Sequence, residues 1–180
     1  MSYGKQQLEE LALKLSKISD MLNYELPEFW WLSQGEEAVV IVRIVRKNKG
    51  LKIYETPKLT LKAAIKTVVN SIEVAKKLKG KEFYQVIKII EEDIASIVEV
   101  YSLIKEAHQL VKKAEHLRRI LSKSSMDADR KNRLKSMLDE VVKWIREIFT
   151  TNPKEWRNKK DFFGRALDKM EKEILESQAI

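Results

Sequence analysis

The last two-thirds of this chain carries almost no residue that would interrupt a helix. Between Thr60 and Ile180 there are two glycines, Gly80 and Gly164, and one proline, Pro153. Over the same stretch apolar residues recur at steps of three and four, which is the spacing of one buried face on an α-helix. The pattern therefore predicts a set of helices that pack their apolar faces together.

The apolar spacing resolves into five predicted helices with short connections. The first ends before Pro27, because proline disfavours helical geometry in the residue that precedes it. The last is preceded by a short helical turn with Pro153 at its first position. The five helices are predicted to begin near Gln6, Thr60, Lys81, Asp127 or Asp129, and Asp161.

Residues 33–56 fit two different structures. Ser33-Gln-Gly-Glu36 has a capping-box pattern that would open a helix ending near Gly50. The segment Val39 to Val45 is nearly all β-branched, however, and Asn48-Lys-Gly50 has hairpin-turn composition with a glycine for positive φ. We favour a β-hairpin over 38–56, with strands 38–46 and 51–56. It would have to pack against the helices, because an isolated hairpin is marginally stable.

The predicted fold is mainly α, an antiparallel helical bundle of about five helices with a small β-hairpin near the N-terminus. We expect a single helical domain over residues 1–180. A third helix from Lys81 to Leu121 would be about 60 Å long, which exceeds the roughly 40 Å diameter of a compact chain of this size. Its apolar stripe therefore predicts a coiled-coil partner, most simply a homodimer.

The composition limits the cellular setting and the class of partner. There are 35 Lys and Arg against 27 Asp and Glu, a net charge of +8, which suits a polyanion such as nucleic acid. A thermophile surface is the alternative, since Lys and Glu are both abundant and cysteine is absent. Without cysteine there is no disulfide and no thiolate metal site. No secretory leader and no membrane-length apolar run is present, so we expect a cytoplasmic protein without a membrane partner.

The sequence offers no recognisable catalytic or metal-binding pattern. His108 and His116 are eight positions apart, two helical turns, which is too far for both to bind one ion. The acidic segment around Glu92 and Asp93 is interpreted as a solvated helix face, because these side chains should point away from the apolar stripe. No glycine-rich phosphate loop or nucleophile motif is present. We therefore expect no enzyme, no cofactor and no small-molecule substrate.

Positive charge concentrates between Lys105 and Lys135, where ten basic residues face four acidic ones. A second, smaller cluster runs from Lys154 to Arg165. The alternative to a binding surface is a set of solvated helix ends whose cations complement the helix dipole. The candidate nucleic-acid-binding residues are Lys112, Lys113, Arg118, Arg119, Lys123, Arg130, Lys131 and Arg133.

Two hypotheses of function follow from these patterns. The first is a non-catalytic basic protein that binds DNA or RNA, or serves as a small subunit of a nucleoprotein assembly. The second is a helical protein–protein interaction module with no nucleic-acid role. The segment Phe29-Trp30-Trp31 is compatible with either, because it could stack bases, form a partner contact, or simply close the core.

Overall fold

The computed structural model describes residues 3–33, 37–48, 50–147 and 153–178. Within these ranges the side chains of residues 3, 23–33, 146, 153, 154 and 156 are outside the description. The aromatic segment Phe29-Trp30-Trp31 falls among them, so its role stays a prediction.

The described residues form five α-helices and four short strands, which confirms the predicted mainly α fold with a hairpin near the N-terminus. The helices are α1 Tyr3–Ser33, α2 Leu61–Ala75, α3 Gly80–Lys123, α4 Ala128–Arg146 and α5 Pro153–Gln178. The strands are β1 Glu37–Val39, β2 Val42–Lys47, β3 Gly50–Glu55 and β4 Leu59–Thr60.

The hairpin consists of β2 and β3, antiparallel from the Val42–Glu55 pair to the Lys47–Gly50 pair. The left-handed backbone is at Asn48, with φ of 43°, and not at Gly50, where the sequence suggested it. Asparagine tolerates this region better than most residues because its short polar side chain bonds locally. The alternative of a helix reaching Gly50 is wrong.

The predicted first strand is interrupted, because β1 leaves the hairpin and pairs instead with β4, just before α2. Between β1 and β2 the Ile41 carbonyl accepts a hydrogen bond from the Thr56 amide at 2.8 Å. The Ile41 amide donates in turn to Thr56 Oγ1 at 3.2 Å. Thr60 then caps α2 by accepting from the Ala63 amide at 3.2 Å, so the sheet passes directly into the helix.

Two helix boundaries differ from the prediction. Helix α1 continues through Pro27 to Ser33, although proline removes one helical hydrogen bond at roughly 3 kcal/mol. A proline marks a frequent boundary, not an obligatory one, because the residues on either side retain their own bonds. Helix α5 begins at Pro153 and absorbs the short turn expected before Asp161.

The chain divides into two compact units, residues 1–102 and residues 103–180, and α3 contributes to both. In the first unit α2 contacts α1 and the strands β1, β2 and β4. The core of this unit includes Leu15, Ile44, Val68 and Ile90, each at most 2% exposed. Whether the units behave as the one predicted domain stays a prediction.

The second unit consists of the end of α3 together with α4 and α5. Arg118 of α3 contacts Asp139 of α4, and Trp144 of α4 contacts Phe163 of α5. Lys160 of α5 contacts Glu106 of α3, and Lys113 contacts Asp168, so α3 and α5 run in the same direction. Buried side chains from each helix meet in a common core: Ala107, Leu117, Leu121, Leu134, Leu138, Ile145, Leu167 and Ile174.

The apolar stripe of α3 lies inside the chain along its length. Ile90, Ile94, Ile97 and Ile104 are each at most 5% exposed. The prediction of a homodimer or coiled coil rested on this stripe being uncovered, and the stripe does not require a second copy. No helix of the described part is long and apolar enough to cross a membrane.

Candidate nucleic-acid interface

Positive charge is distributed unevenly between the two units. Residues 103–180 contain 19 Lys and Arg against 13 Asp and Glu, a net charge of +6. Residues 1–102 contain 16 against 14, a net charge of +2. Most of the excess that suits a polyanion therefore belongs to the helical second unit.

One exposed face of α3 in this unit is rich in basic side chains, and its one neighbouring carboxylate is the exposed Glu115, three positions after Lys112 and four before Arg119. We call this face the basic stripe, and it consists of Lys105, Lys112, His116, Arg119 and Lys123. Together with Gln109 these positions follow steps of four and three, so they share one helix face. All are exposed, and the face lies opposite the buried residues of the same helix segment. From first to last the stripe extends about 27 Å.

Three of the eight predicted binding residues, Lys112, Arg119 and Lys123, belong to the basic stripe. Lys113 points to a neighbouring helix, where its ammonium pairs with Asp168 and lies 3.9 Å from Glu171. The one-residue step from Lys112 to Lys113 turns the side chain by about 100°, enough to move it from the outer face to the α5 side.

The remaining predicted arginines are engaged between helices. Arg118 pairs with Asp139 of α4 at 2.5 Å. Arg130 and Arg133 both pair with Glu173 of α5, at 2.9 and 3.1 Å. These arginines are about half exposed, and such surface pairs contribute little each, typically below 1 kcal/mol. Their charge is nevertheless partly neutralised within the protein.

Lys131 closes the end of α3. Its ammonium donates to the backbone carbonyls of Ser122 and Ser124 at 3.1 and 3.0 Å. The last carbonyls of a helix have no partner within the helix, so a cation placed there satisfies them and complements the dipole. This is the helix-end alternative that the sequence left open, realised by direct hydrogen bonds at Lys131, while Lys123 lies in the last turn of α3.

The second basic cluster is also used partly within the unit. Lys160 pairs with Glu106 at 3.2 Å, and Arg165 donates from Nε to the Asp161 carbonyl at 3.3 Å. Lys159 is exposed on the same helix. This cluster therefore offers fewer available charges than its sequence suggests.

The interpretation of the acidic segment is wrong for Asp93, which is 3% exposed, although Glu92 is exposed as expected. The face of α3 that is buried in the first unit is wider than the predicted stripe, because it also includes Val86, Asp93 and Val100, which follow one another at steps of seven. Its Oδ1 accepts from the Val42 amide at 2.8 Å, while the buried Oδ2 has no hydrogen-bond partner. Burial raises the pKa of Asp93 to about 6, against a smaller lowering by the Val42 amide.

In the described part of the chain, no group of three or more His, Asp or Glu side chains could hold a metal ion. Asp93 has the raised pKa that functional carboxyls often show. Its unpartnered Oδ2 is buried, however, so it is not accessible to a molecule in the solvent.

The basic stripe was visible in the sequence but not recognised there as a unit. Lys105, Lys112 and Arg119 are seven positions apart, as are Gln109, His116 and Lys123. The net charge of the segment does not show this heptad spacing, because it counts the cations of the exposed face together with those that point toward neighbouring helices.

No protein-family model, curated protein or solved structure matches this chain significantly.

Proposed function

We propose that this protein binds nucleic acid without catalysing a reaction on it, on its own or as a small subunit of a nucleoprotein assembly, and that the basic stripe of α3 is the contact surface. The observation that supports this proposal most strongly is the composition of that stripe. Five side chains that can donate to phosphate oxygens lie along one exposed face, and a single exposed carboxylate, Glu115, adjoins it. Phosphate contacts from Lys and Arg supply most of the sequence-independent affinity of such proteins.

The helix-dipole alternative does not account for the whole stripe. Cations complement the dipole only within the last turn of a helix. Arg119 and Lys123 lie near the end of α3, but Lys112 is 11 residues and Lys105 is 18 residues before Lys123. The dipole therefore does not explain the two earlier lysines, and a polyanion lying along the helix would contact all four cations.

Two variants that lose the same charge at different places test the basic stripe. Replacing Lys105, Lys112, Arg119 and Lys123 with Gln removes four charges from the stripe and keeps residues of good helix propensity. The matched control replaces four exposed lysines of the first unit: Lys14, Lys17, Lys62 and Lys66. Both variants lose the same net charge, so only the position of the loss differs.

The measurement is the affinity for DNA and RNA, single- and double-stranded, at several salt concentrations. If the four stripe residues each contact one phosphate, log affinity for duplex DNA should fall against log salt with a slope of about −3.6. The stripe variant should show a nearly flat dependence and bind much more weakly. The control should keep a slope close to that of the wild type.

A third variant, Arg130→Gln with Arg133→Gln, separates the stripe from the engaged arginines. It should change the salt dependence less than the loss of two stripe residues does. Equal losses from the stripe variant and the first-unit control would mean that binding reflects diffuse charge. Absence of binding by the wild type at low salt would reject the nucleic-acid proposal and favour the helical protein–protein interaction module.

A further inference from the structure

The first unit contains a pocket of about 620 Å³ that lies outside the basic stripe. It is bounded by the beginning of α1 and by the connection from α2 to α3. Its floor is apolar, formed by Leu8, Ala12, Leu78 and Phe83. Small-molecule sites are typically concave, mostly apolar and between about 300 and 1,000 Å³, so the pocket has the size and lining of such a site.

Two glycines bring the walls of this pocket together. A Cβ at Gly4 would overlap the ring of Phe83, so α1 approaches α3 closely only because residue 4 has no side chain. Gly80 has φ of 66°, a conformation that favours glycine, and it lets the chain turn from α2 into α3. Gly80 lines the pocket directly, and Gly4 sets how closely α1 approaches Phe83, which also lines it.

The polar groups around the pocket are mainly cationic. Lys5, Lys76 and Lys79 line it together with one carboxylate, Glu9, and Tyr84 adds a half-exposed ring and a hydroxyl. Lys76 also pairs with Glu73 at 2.9 Å, but both partners are more than half exposed, so the ammonium can turn to another anion at little cost. A net positive rim above an apolar floor is complementary to a molecule with an acidic head and an apolar body.

We propose that this pocket binds a small amphipathic anion, with its apolar body on the Leu8–Phe83 floor and its acidic group among the lysines. An inorganic anion would leave the floor in contact with water. A neutral apolar molecule would gain nothing from the positive charge of the rim, whereas an anion would. The proposal is independent of nucleic-acid binding, because the pocket belongs to residues 1–102 and the stripe to residues 103–180.

The test uses the full chain and four probes in matched pairs, titrated calorimetrically at low salt. Decanoate and 2-naphthoate carry a carboxylate on an acyl and an aryl body. Decanol and 2-naphthol carry similar bodies without the charge. At least one of the two acids should bind with one molecule per chain and more tightly than its neutral counterpart. The acid that binds more tightly shows whether the pocket prefers an acyl or an aryl body.

Lysine variants test the acidic end of the site. Lys76→Gln with Lys79→Gln should weaken binding of the acid about fivefold, the size expected of two exposed charge contacts, and leave the neutral probe unchanged. The control is Lys62→Gln with Lys66→Gln, two exposed lysines of α2 that do not line the pocket, which should leave both affinities unchanged.

Ala12→Trp tests the apolar end by filling the pocket, and it should abolish binding while circular dichroism shows the helices intact. The lysine variants change exposed residues only, so they keep the test valid if the tryptophan variant fails to fold. The proposal is overturned if no acid binds at millimolar concentration, if acids and neutral probes bind equally, or if both lysine pairs weaken binding alike.

Discussion

At the scale of single residues, Asp93 has a buried side-chain oxygen without a hydrogen-bond partner in the described part of the chain. One carboxylate oxygen accepts from the Val42 amide, and the other is buried without a partner. A carboxylate in this position is desolvated more than it is compensated, so the protonated form is favoured. The folded-state pKa of about 6 lies above the unfolded value of 3.8.

Asp93 therefore makes stability depend on pH with a definite sign. Between pH 4 and 6 the folded protein binds more protons at this group than the unfolded chain, so its contribution is lost as pH rises through the folded pKa. Asp93→Asn removes the charge and keeps an oxygen for the Val42 amide. We expect the variant to gain about 2 kcal/mol in unfolding free energy relative to wild type between pH 4.5 and 8, since one pKa unit is worth 1.36 kcal/mol.

Urea unfolding at the two pH values measures this difference. Asp20→Asn, at an exposed position of α1, is the control and should show no such gain. A difference between wild type and Asp93→Asn that is the same at both pH values would show that Asp93 does not titrate in this window.

At the scale of secondary-structure elements, the passage from β1 to β2 depends on two side chains from elsewhere in the chain. Val40 and Ile41 lie outside both strands, and ladder bonding is interrupted there. Thr56 and Asp93 supply the missing acceptors to the Ile41 and Val42 amides. Two sequence-distant polar groups thus take the place of a continuous strand.

Thr56→Val should be costly for this reason. The hydroxyl of Thr56, a 7% exposed residue, accepts from the Ile41 amide, and valine of nearly the same shape would leave that buried amide without a partner. The expected loss of unfolding free energy is about 1 to 3 kcal/mol. Thr67→Val is the control, because the Thr67 hydroxyl only donates to the Ala63 carbonyl of its own helix. Equal losses in urea unfolding would argue against a special role for Thr56.

The elements that the sequence predicts well are those whose signal is local. The β-branched run and the turn at Asn48 identify the hairpin, and Thr60 marks the start of α2. The end of α1 was missed because the cost of Pro27 has to be weighed against contacts elsewhere in the fold. Asp93 was misplaced because the buried face of α3 is wider than its apolar stripe and includes the carboxylate at its edge.

The candidate interface shows the same division. The sequence locates the positive segment and three residues of the basic stripe. It does not show that Arg118, Arg130 and Arg133 pair across helices, because their partners Asp139 and Glu173 are 21 to 43 positions away. The charge along a sequence indicates a preference for a polyanion. Which of the charged side chains are available to bind it depends on their neighbours in the folded structure.

At the scale of the whole molecule, α3 is the one helix that belongs to both compact units. The division falls between Ser102 and Leu103, inside the helix. Tyr101 and Leu103 are 7% and 6% exposed, so side chains on either side of the division are buried. The connection is therefore helical backbone flanked by buried side chains, and it contains no glycine or proline of the kind that often marks a domain linker.

Ser102→Pro should consequently destabilise the protein, although the side chain of Ser102 is exposed. Proline at this position removes a helical hydrogen bond and clashes with the preceding turn, at a cost of about 3 kcal/mol or more. Hydrogen exchange of the amides around residue 102 should also become faster. Ser102→Ala is the control at the same site, and it should be neutral or slightly stabilising. Equal stability of the two variants would indicate that α3 is not continuous in solution.

The position of Asp93 and its neighbours on α3 has a consequence for biosynthesis. The first unit needs residues 83–101 to close its core, and these are the last of its residues to be translated. While residues 83–101 are still inside the ribosome, the core of this unit is incomplete. The apolar side chains of Val39, Ile41 and Ile44 then lack the α3 residues that help to bury them. Exposed apolar strands of this kind promote aggregation. A nascent chain halted while residues 83–101 are still inside the ribosome should therefore depend on chaperones more than one halted after these residues have emerged.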